Sequence, residues 1–220
     1  PHRLTAATAA AFNDMQVAAA YEGFNLQAAS SWRSFERQLA IWNGKWRGER
    51  PLLDADNRPL DALQLGETER LHAILRWSAL PGTSRHHWGT DLDIYDPDCL
   101  PVGTRLALEP WEYEAGGWFA DLGEWLGDHM ADFGFFLPYA KPLDAAQGVA
   151  YEPWHISFAP ESGSGAKIRV DAGQGAHQCC LAVIDVARGT DDHGAVPSRG
   201  SRARRSASAI PAGSRAARTA

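Results

Sequence analysis

The aromatic residues of this chain stop abruptly near Pro160, and this limits where a core can form. All nine tryptophans, five tyrosines and eight phenylalanines lie at or before Phe158, although the chain has 220 residues. The charge changes at the same point: residues 1–160 carry 12 Lys or Arg against 22 Asp or Glu, whereas residues 161–220 carry 9 against 5. Aromatic side chains bury the largest areas in a core. We therefore predict one folded domain over residues 1–160 and a basic, aromatic-free tail over residues 161–220.

The composition of the tail favours disorder. It is rich in Gly, Ser, Ala and Arg, and residues 194–220 contain six Arg and no acidic residue. A segment that lacks large apolar side chains cannot offset the entropy of folding. Two other interpretations stay open: a basic arm that contacts an anionic surface, and a segment read in a shifted frame. The apolar run over 180–186 predicts at most a lone strand.

Composition also excludes several classes of protein. The net charge of -6 argues against a general nucleic-acid binder. A membrane span needs roughly 18 consecutive apolar residues, and no such run occurs. Cys99 is isolated and Cys179 adjoins Cys180, so we expect neither a disulfide framework nor a CxxC metal site. Because the chain starts at Pro1 without Met, we expect a fragment or a processed form in which a removed signal peptide is invisible.

Hydrophobic periodicity predicts a mixture of helices and strands. Apolar residues recur at helical spacing in four segments, two of which are marked by Ser34 as an N-cap and by Gly23 as a terminator. The predicted helices cover 5–21, 34–46, 67–80 and 117–133, and the predicted strands cover 24–29, 90–95 and 150–158. Two prolines and several Asp and Asn make 47–66 a loop. Because no βαβ repeat is visible, the predicted class is α+β.

The strongest local motif is Ser84-Arg-His-His-Trp-Gly-Thr-Asp-Leu-Asp93. Its second half alternates apolar and polar residues and predicts a strand. Gly89 lets the backbone turn, so that His86 on the loop and Asp93 on the strand can face one point.

A second motif, Glu152-Pro-Trp-His155, lies in the last predicted strand. Residues three apart on a strand face opposite sides, so Pro153 must kink the chain if Glu152 and His155 serve one site. Two His and one carboxylate can bind a zinc ion tetrahedrally with water in the fourth place. A further Glu nearby is what such a site needs to take the proton of that water.

Both motifs resemble those of a known family. S-x-H-x-x-G-x-x-x-D followed by E-x-W-H resembles the zinc D-alanyl-D-alanine carboxypeptidases of the VanY type. These belong to a wider group with the vancomycin-resistance dipeptidases, phage L-alanyl-D-glutamate endopeptidases and the hedgehog signalling domain. Upstream, Ser30-Ser-Trp-Arg-Ser-Phe-Glu-Arg-Gln38 is similar to the family segment S-G-Y-R-S-x-x-x-Q. The chain departs from the family pattern at Ser31, Trp32 and Asp91, where Gly, Tyr and a small residue, often Ala, are usual.

The resemblance implies a fold and a set of roles. The fold is a small antiparallel sheet that carries a zinc site and is flanked by helices. The implied zinc ligands are His86, Asp93 and His155. Glu152 is implied as the general base and then the acid, and Arg33 as the group that holds a substrate carbonyl or carboxylate by a forked contact. Ser84 and Gln38 are similar to family residues that hydrogen-bond the end of the substrate.

Three further residues carry alternatives. Asp91 lies two residues from Asp93 on the same strand face, where it either hydrogen-bonds a ligand histidine without binding the metal itself or forms a salt bridge with Arg85. Trp154 is either a core residue or a platform beside the site. His87 is a rival ligand to its neighbour, although the motif spacing favours His86.

The implied activity is hydrolysis of D-Ala-D-Ala-type bonds in peptidoglycan stem peptides by a D,D-carboxypeptidase. Two alternatives stay open: an endopeptidase that cuts L-Ala-D-Glu or a cross-link, and a zinc-bearing cell-wall-binding module without turnover. The resemblance also implies an exported protein of the bacterial cell envelope or periplasm. We expect a monomer that binds the stem peptide and no nucleic acid.

Overall fold

The computed structural model describes residues 2–141 and 150–163. Among these residues the fold is α+β, as predicted: a four-stranded antiparallel sheet with helices packed around it. The strands are β1 (Gln27–Ser30), β2 (Leu52–Leu53), β3 (Pro59–Leu60), β4 (Asp91–Tyr95), β5 (Phe135–Phe136) and β6 (His155–Phe158). The α-helices are α1 (Ala6–Tyr21), α2 (Phe35–Trp46), α3 (Glu67–Trp77), α4 (Ala120–His129) and α5 (Ala159–Ser162). Short 3-10 helices cover Arg85–Trp88, Pro97–Cys99, Pro110–Tyr113 and Met130–Phe133.

The four-stranded sheet has the order β1-β4-β6-β5 and brings three distant motifs side by side. In its register Asp93 of β4 lies opposite Ser30 of β1 on one side and opposite His155 of β6 on the other. Side chains alternate along β4, so Leu92 and Ile94 are buried in the core while the two Asp of this strand share the other face. The pairing therefore places the polar face of the sheet under the predicted site.

Side-chain caps start the first two helices. Thr5 caps α1 by accepting a hydrogen bond from the backbone N–H of Thr8. Ser34 caps α2 in the same way, as predicted, by accepting from the N–H of Arg37.

The core has two parts. The larger part lies between the apolar face of the sheet and the helices α1 and α4, and its fully buried members include Met15, Leu92, Phe119, Leu122, Phe135 and Ile156. The smaller part joins α2, α3 and the β2–β3 hairpin through Trp42, Trp46, Leu52, Ala62, Ile74 and Leu80. The second part fixes α2 against α3 and the hairpin, and α2 follows directly on the loop that carries Arg33.

Several predicted boundaries were wrong. The third helix ends at Trp77 because Ser78 is already extended. The fourth divides into α4 and the 3-10 helix Met130–Phe133. The segment predicted as a loop contains the β2–β3 hairpin.

The last strand is shorter than predicted and begins at His155, because the residues before it form a turn. Within the described ranges no helix is both long and apolar enough to cross a membrane. The predicted tail from residue 164 onward, with the strand over 180–186, lies outside the described residues. The domain boundary at residue 160 stays a prediction.

Candidate metal centre and active site

Three side chains from separate elements meet on the polar face of the sheet. His86 comes from the 3-10 helix Arg85–Trp88, Asp93 from β4 and His155 from β6. All three are buried, and one ligand atom from each lies within 4.8 Å of the others. The Nε2 atom of His86 lies 3.3 Å from Oδ2 of Asp93, and the Nδ1 atom of His155 lies 3.3 Å from Oδ1 of the same carboxylate.

The two distances between a histidine and Asp93 are close to those around a tetrahedral metal ion. Ligand bonds of about 2.0–2.1 Å at tetrahedral angles place neighbouring ligand atoms roughly 3.4 Å apart. Two imidazoles and one carboxylate are also a donor set that zinc accepts in catalytic sites, with the fourth position left for water or substrate. The residues present therefore fit a zinc ion.

In each histidine of the cluster, the ring nitrogen that faces away from Asp93 has a hydrogen-bond partner. The nitrogen that faces Asp93 is therefore the one available to bind a metal. The Nδ1 atom of His86 lies 2.9 Å from the backbone carbonyl of Ser31, which can only accept, so this nitrogen donates. The Nε2 atom of His155 lies 3.0 Å from Oδ1 of Asp91. In the metal-bound form these contacts would keep the N–H on the nitrogen that faces away from Asp93 and leave the lone pair of the other nitrogen for the ion.

Asp91 is fully buried and makes both of the contacts that the sequence left as alternatives. Besides His155, it accepts a hydrogen bond of 2.8 Å from Nε of Arg85 and one of 2.6 Å from the hydroxyl of Thr90. Ser157 donates a further hydrogen bond to its second oxygen at 3.1 Å. Burial alone would raise the pKa of Asp91, but the hydrogen bond and charge of His155, with Thr90 and Arg85, lower it to about 2. Asp91 is therefore ionised at neutral pH.

The charges around the cluster call for a cation. Burial would raise the pKa of Asp93, yet His86 and His155 hold it well below its usual range. Burial would lower the pKa of His155, yet hydrogen bonds to Asp91, Asp93 and Glu152 raise it well above its usual range. Buried carboxylates need a partner of opposite charge, and protonated His155 supplies one to both Asp91 and Asp93. A divalent metal ion held by the same atoms would displace that proton and supply the positive charge in its place.

Glu152 reaches the cluster from a turn, and the prediction that it lies on the last strand was wrong. The N–H of His155 donates to the carbonyl of Glu152 at 3.2 Å, and the N–H of Glu152 donates to the carbonyl of Tyr139 at 3.0 Å. The turn over Pro153 and Trp154 removes the opposite-face problem, because strand alternation does not apply there. Oε2 of Glu152 lies 3.4 Å from Nδ1 of His155.

Arg33 lies at the rim of the cluster and is held by neighbouring side chains. It donates from Nη1 to Oε1 of Gln38 at 2.8 Å and from Nη2 to the hydroxyl of Ser30 at 3.2 Å. Its Nη2 atom lies 3.7 Å from Oδ2 of Asp93. Gln38 in turn donates to the carbonyl of Ala79 at 2.7 Å. This chain of contacts joins Arg33 to both the metal cluster and α2.

His87 is separate from the cluster, because backbone groups occupy both of its ring nitrogens. Its Nδ1 atom donates to the carbonyl of Arg33 at 2.6 Å, and its Nε2 atom accepts from the N–H of Gly82 at 3.0 Å. His87 therefore ties the loop that carries Arg33 to the loop that carries His86.

A cleft opens onto the cluster and contains every residue that the sequence proposed for metal, catalysis or substrate. Ser84 lines its wall and is buried. Trp154 belongs to the core but also lines the cleft. Sequence reasoning missed three polar residues of the wall, Lys45, Ser78 and Tyr139. The ring of Tyr139 packs edge-on against His155 with 4.9 Å between centroids.

The fold and the site define a class: an α+β protein with a cluster of two His and one Asp at the base of a cleft, which could hold a metal ion. A family model for VanY, D-alanyl-D-alanine carboxypeptidase, matches residues 1–161. The chain belongs to the VanY D-alanyl-D-alanine carboxypeptidase family, which confirms the resemblance drawn from the motifs.

Relatives of known sequence match parts of the chain. An uncharacterised protein of Haemophilus influenzae is 51% identical over 81 residues, which are 37% of this chain and 61% of that protein. YodJ of Bacillus subtilis, described as a proposed carboxypeptidase, is 31% identical over 148 residues, which are 67% of this chain and 43% of that protein. The chain thus spans less than two thirds of the length of these curated relatives.

Solved structures share the fold. A mutant of the vancomycin-resistance D,D-pentapeptidase VanY in complex with Zn(II) has a TM-score of 0.51 at 24% identity, covering 71% of this chain and 73% of that chain. VanYB in complex with D-alanine-D-alanine has a TM-score of 0.53 at 19% identity, covering 86% of this chain and 84% of that one. At these identities the likeness establishes the fold.

Proposed function

We propose that this chain is a zinc-dependent D,D-carboxypeptidase that removes the terminal D-alanine from peptidoglycan stem peptides. The observation that carries the proposal is the cluster of His86, Asp93 and His155 with Glu152 beside it, in a member of the VanY family. We further propose that it acts as a monomer in the bacterial cell envelope or periplasm.

In the proposed mechanism, His86, Asp93 and His155 hold the zinc ion, which when bound polarises the scissile carbonyl and lowers the pKa of a water molecule toward about 7. Oε2 of Glu152 receives the proton of the attacking water and passes it to the nitrogen of the leaving D-alanine. The C–N bond breaks as the new C–O bond is completed, so water is divided between the two products.

Arg33 faces the same point from the rim of the cleft. Its guanidinium stabilises the negative charge that develops on the carbonyl oxygen. The amide of Gln38 and the hydroxyl of Ser84 orient the end of the peptide. Asp91 holds the His155 ring in the tautomer that binds metal, as a group that acts through the ligand, and Trp154 closes the base of the cleft.

Metal analysis paired with a digest of muropeptides tests this proposal. The purified protein should contain about one zinc per chain, and mass spectrometry should show pentapeptide stems losing one alanine. Release of D-alanine from tetrapeptide stems instead would identify an L,D-carboxypeptidase, and cleavage after L-alanine or at a cross-link would identify an endopeptidase. A zinc-loaded protein that binds cell wall without any cleavage would identify a binding module.

Two substitutions separate metal binding from catalysis. Glu152→Ala should keep zinc and lose most turnover, because the general base is gone while the ligand set remains. His155→Ala should lose both zinc and turnover. Normal turnover by the Glu152 variant would exclude this residue as the base.

We infer that residues 1–160 carry the whole reaction. Every proposed site residue lies at or before His155. Deleting residues 164–220 should therefore change kcat/KM for a soluble stem peptide by less than about twofold, since those residues supply no group to the chemistry. Loss of binding to intact cell wall by the shortened chain would support the basic-arm interpretation of the tail.

A further inference from the structure

A second cation lines the same cleft as Arg33. Lys45 lies on α2 seven residues after Gln38, with Ile41 between them, and all three side chains line the cleft. Positions i, i+3 and i+7 share one face of a helix, so α2 presents a polar, an apolar and a cationic group in succession. Seven residues rise about 10 Å along the axis, but a lysine side chain is long enough to reach back.

Contacts at the end of α3 show that the side chain of Lys45 extends back along α2 toward Gln38. Its Nζ donates to the hydroxyl of Ser78 at 2.8 Å, while the amide of Gln38 donates to the carbonyl of the next residue, Ala79, at 2.7 Å. Neighbouring residues are about 3.8 Å apart at Cα. The ammonium therefore lies one residue away from the anchor of Gln38, which itself binds Arg33.

Lys45 has no acidic partner in the part of the chain that the structure describes. Ser78 takes one of its three N–H donors, and no described carboxylate lies within ion-pair distance. Burial lowers its pKa to about 8; the charge of Glu152 opposes this shift, and the charges of Arg50 and Arg33 add to it. At neutral pH the group is mainly a cation that is partly removed from water, a costly arrangement unless an anion arrives.

The two cations of the cleft differ in what they can bind. Arg33 already lies 3.7 Å from Asp93 and donates to Gln38 and Ser30, so it is tied to the cluster where the scissile carbonyl must bind. The carboxylates of that cluster would repel a second carboxylate. A negatively charged end of the substrate is therefore best accepted by Lys45, whose hydrogen bond goes to Ser78 and not to the cluster.

We propose that Lys45, supported by Ser78, binds the free terminal carboxylate of the peptide substrate and so makes the site select chain ends. This inference rests on the proposed peptidase function and deepens it. An internal peptide bond offers no carboxylate at this position, so Lys45 separates carboxypeptidase from endopeptidase specificity.

The test compares two peptides that differ only in this carboxylate: diacetyl-L-lysyl-D-alanyl-D-alanine and its C-terminal amide. For the zinc-loaded wild type, kcat/KM should favour the acid by about 10- to 100-fold, the range of a charged hydrogen-bonded contact. In Lys45→Met the ratio of acid to amide should fall toward one, because methionine retains much of the packing and removes the charge. Lys45→Arg should retain part of the preference.

Lys141→Met is the matched control. Lys141 is exposed and pairs with Glu114 on the surface, so its removal should leave the acid-to-amide ratio unchanged. A purely structural role for Lys45 would lower kcat/KM for both peptides alike and leave their ratio as in the wild type. That result would overturn the proposal.

Calorimetric binding of both peptides to zinc-loaded Glu152→Ala, with and without Lys45→Met, separates this proposal from the proposed function. If the wild type cleaves neither peptide but Lys45→Met still abolishes the preference for binding the acid, the peptidase function fails and the carboxylate site stands. If the wild type cleaves the acid and Lys45→Met keeps the full preference, the carboxylate site fails and the peptidase stands. If there is neither cleavage nor a preference for the acid, both fail.

Discussion

Replacing Lys45 with methionine should stabilise the fold at neutral pH, and the gain should shrink as the pH rises. Burial, with smaller contributions from nearby charges, lowers the pKa of Lys45 from its ordinary 10.5 to about 8. Between these two pKa values Lys45 is protonated in the unfolded chain and largely deprotonated in the folded chain. The free energy of unfolding of the wild type therefore rises with pH across this window, and the destabilisation caused by buried Lys45 is greatest below pH 8. The difference between the two pKa values corresponds to a destabilisation of the folded state by about 3 kcal/mol at pH 7 and about 1.4 kcal/mol at pH 9.5.

Urea unfolding of the zinc-loaded proteins at pH 7 and pH 9.5 measures this effect. Lys45→Met should be more stable than the wild type at pH 7, and its advantage in free energy of unfolding should be smaller by about 2 kcal/mol at pH 9.5. Lys141→Met, which alters only an exposed pair, should stay within about 0.5 kcal/mol of the wild type at both pH values. A Lys45 variant whose difference from the wild type is the same at both pH values would refute the reasoning. A Lys45→Met protein that is less stable than the wild type at pH 7 would refute it as well.

Four further substitutions test the site and the fold. Asp91→Asn should weaken zinc binding about 10- to 100-fold in a competition titration with a chelator, because it removes the carboxylate that orients His155; unchanged affinity would count against that role. Gly117→Ala should destabilise the fold by about 1–3 kcal/mol in urea because a Cβ there would overlap the carbonyl of Trp111, whereas Gly127→Ala, which faces open space in α4, should stabilise it by about 0.5–1 kcal/mol. Phe135→Ala should lower the free energy of unfolding by about 3–5 kcal/mol because this ring is buried in the main core; a loss below 1 kcal/mol would show that the cavity collapses.

Two of the three clustered residues, His86 and Asp93, could be placed at one point because local signals mark their positions, whereas His155 was added through the family resemblance. Gly89 adopts a φ of +75°, a left-handed conformation that favours glycine, and it ends the 3-10 helix that carries His86 immediately before β4. The alternation of apolar and polar residues in β4 then decides which face receives Asp93. Both signals lie within a ten-residue window, where spacing alone is informative.

The parts that could not be predicted depend on contacts between distant segments. Lys45 becomes a cleft residue only when α2 packs beside the end of α3 and brings it to Ser78, 33 residues away. The two-residue strand β5 exists only because Phe136 pairs with Ser157 of β6. Glu152 was placed on a strand because local alternation cannot show that Pro153 lies in a turn. The hydrophobic periodicity of the sequence carries no information about pairings between distant segments, because tertiary packing decides them.

Two departures from the family pattern are accommodated by the surroundings of each residue. At position 31 the backbone carbonyl accepts from His86 while the hydroxyl of Ser31 faces the other way and accepts from the N–H of Arg3, so the group that serves the cluster does not depend on the side chain. At position 91 the added carboxylate would be a buried unpaired charge. Arg85 neutralises it at 2.8 Å, and Thr90 and Ser157 occupy its second oxygen. The carboxylate is therefore stable enough to support His155, and its presence predicts a ligand more firmly oriented than a small residue at position 91 would allow.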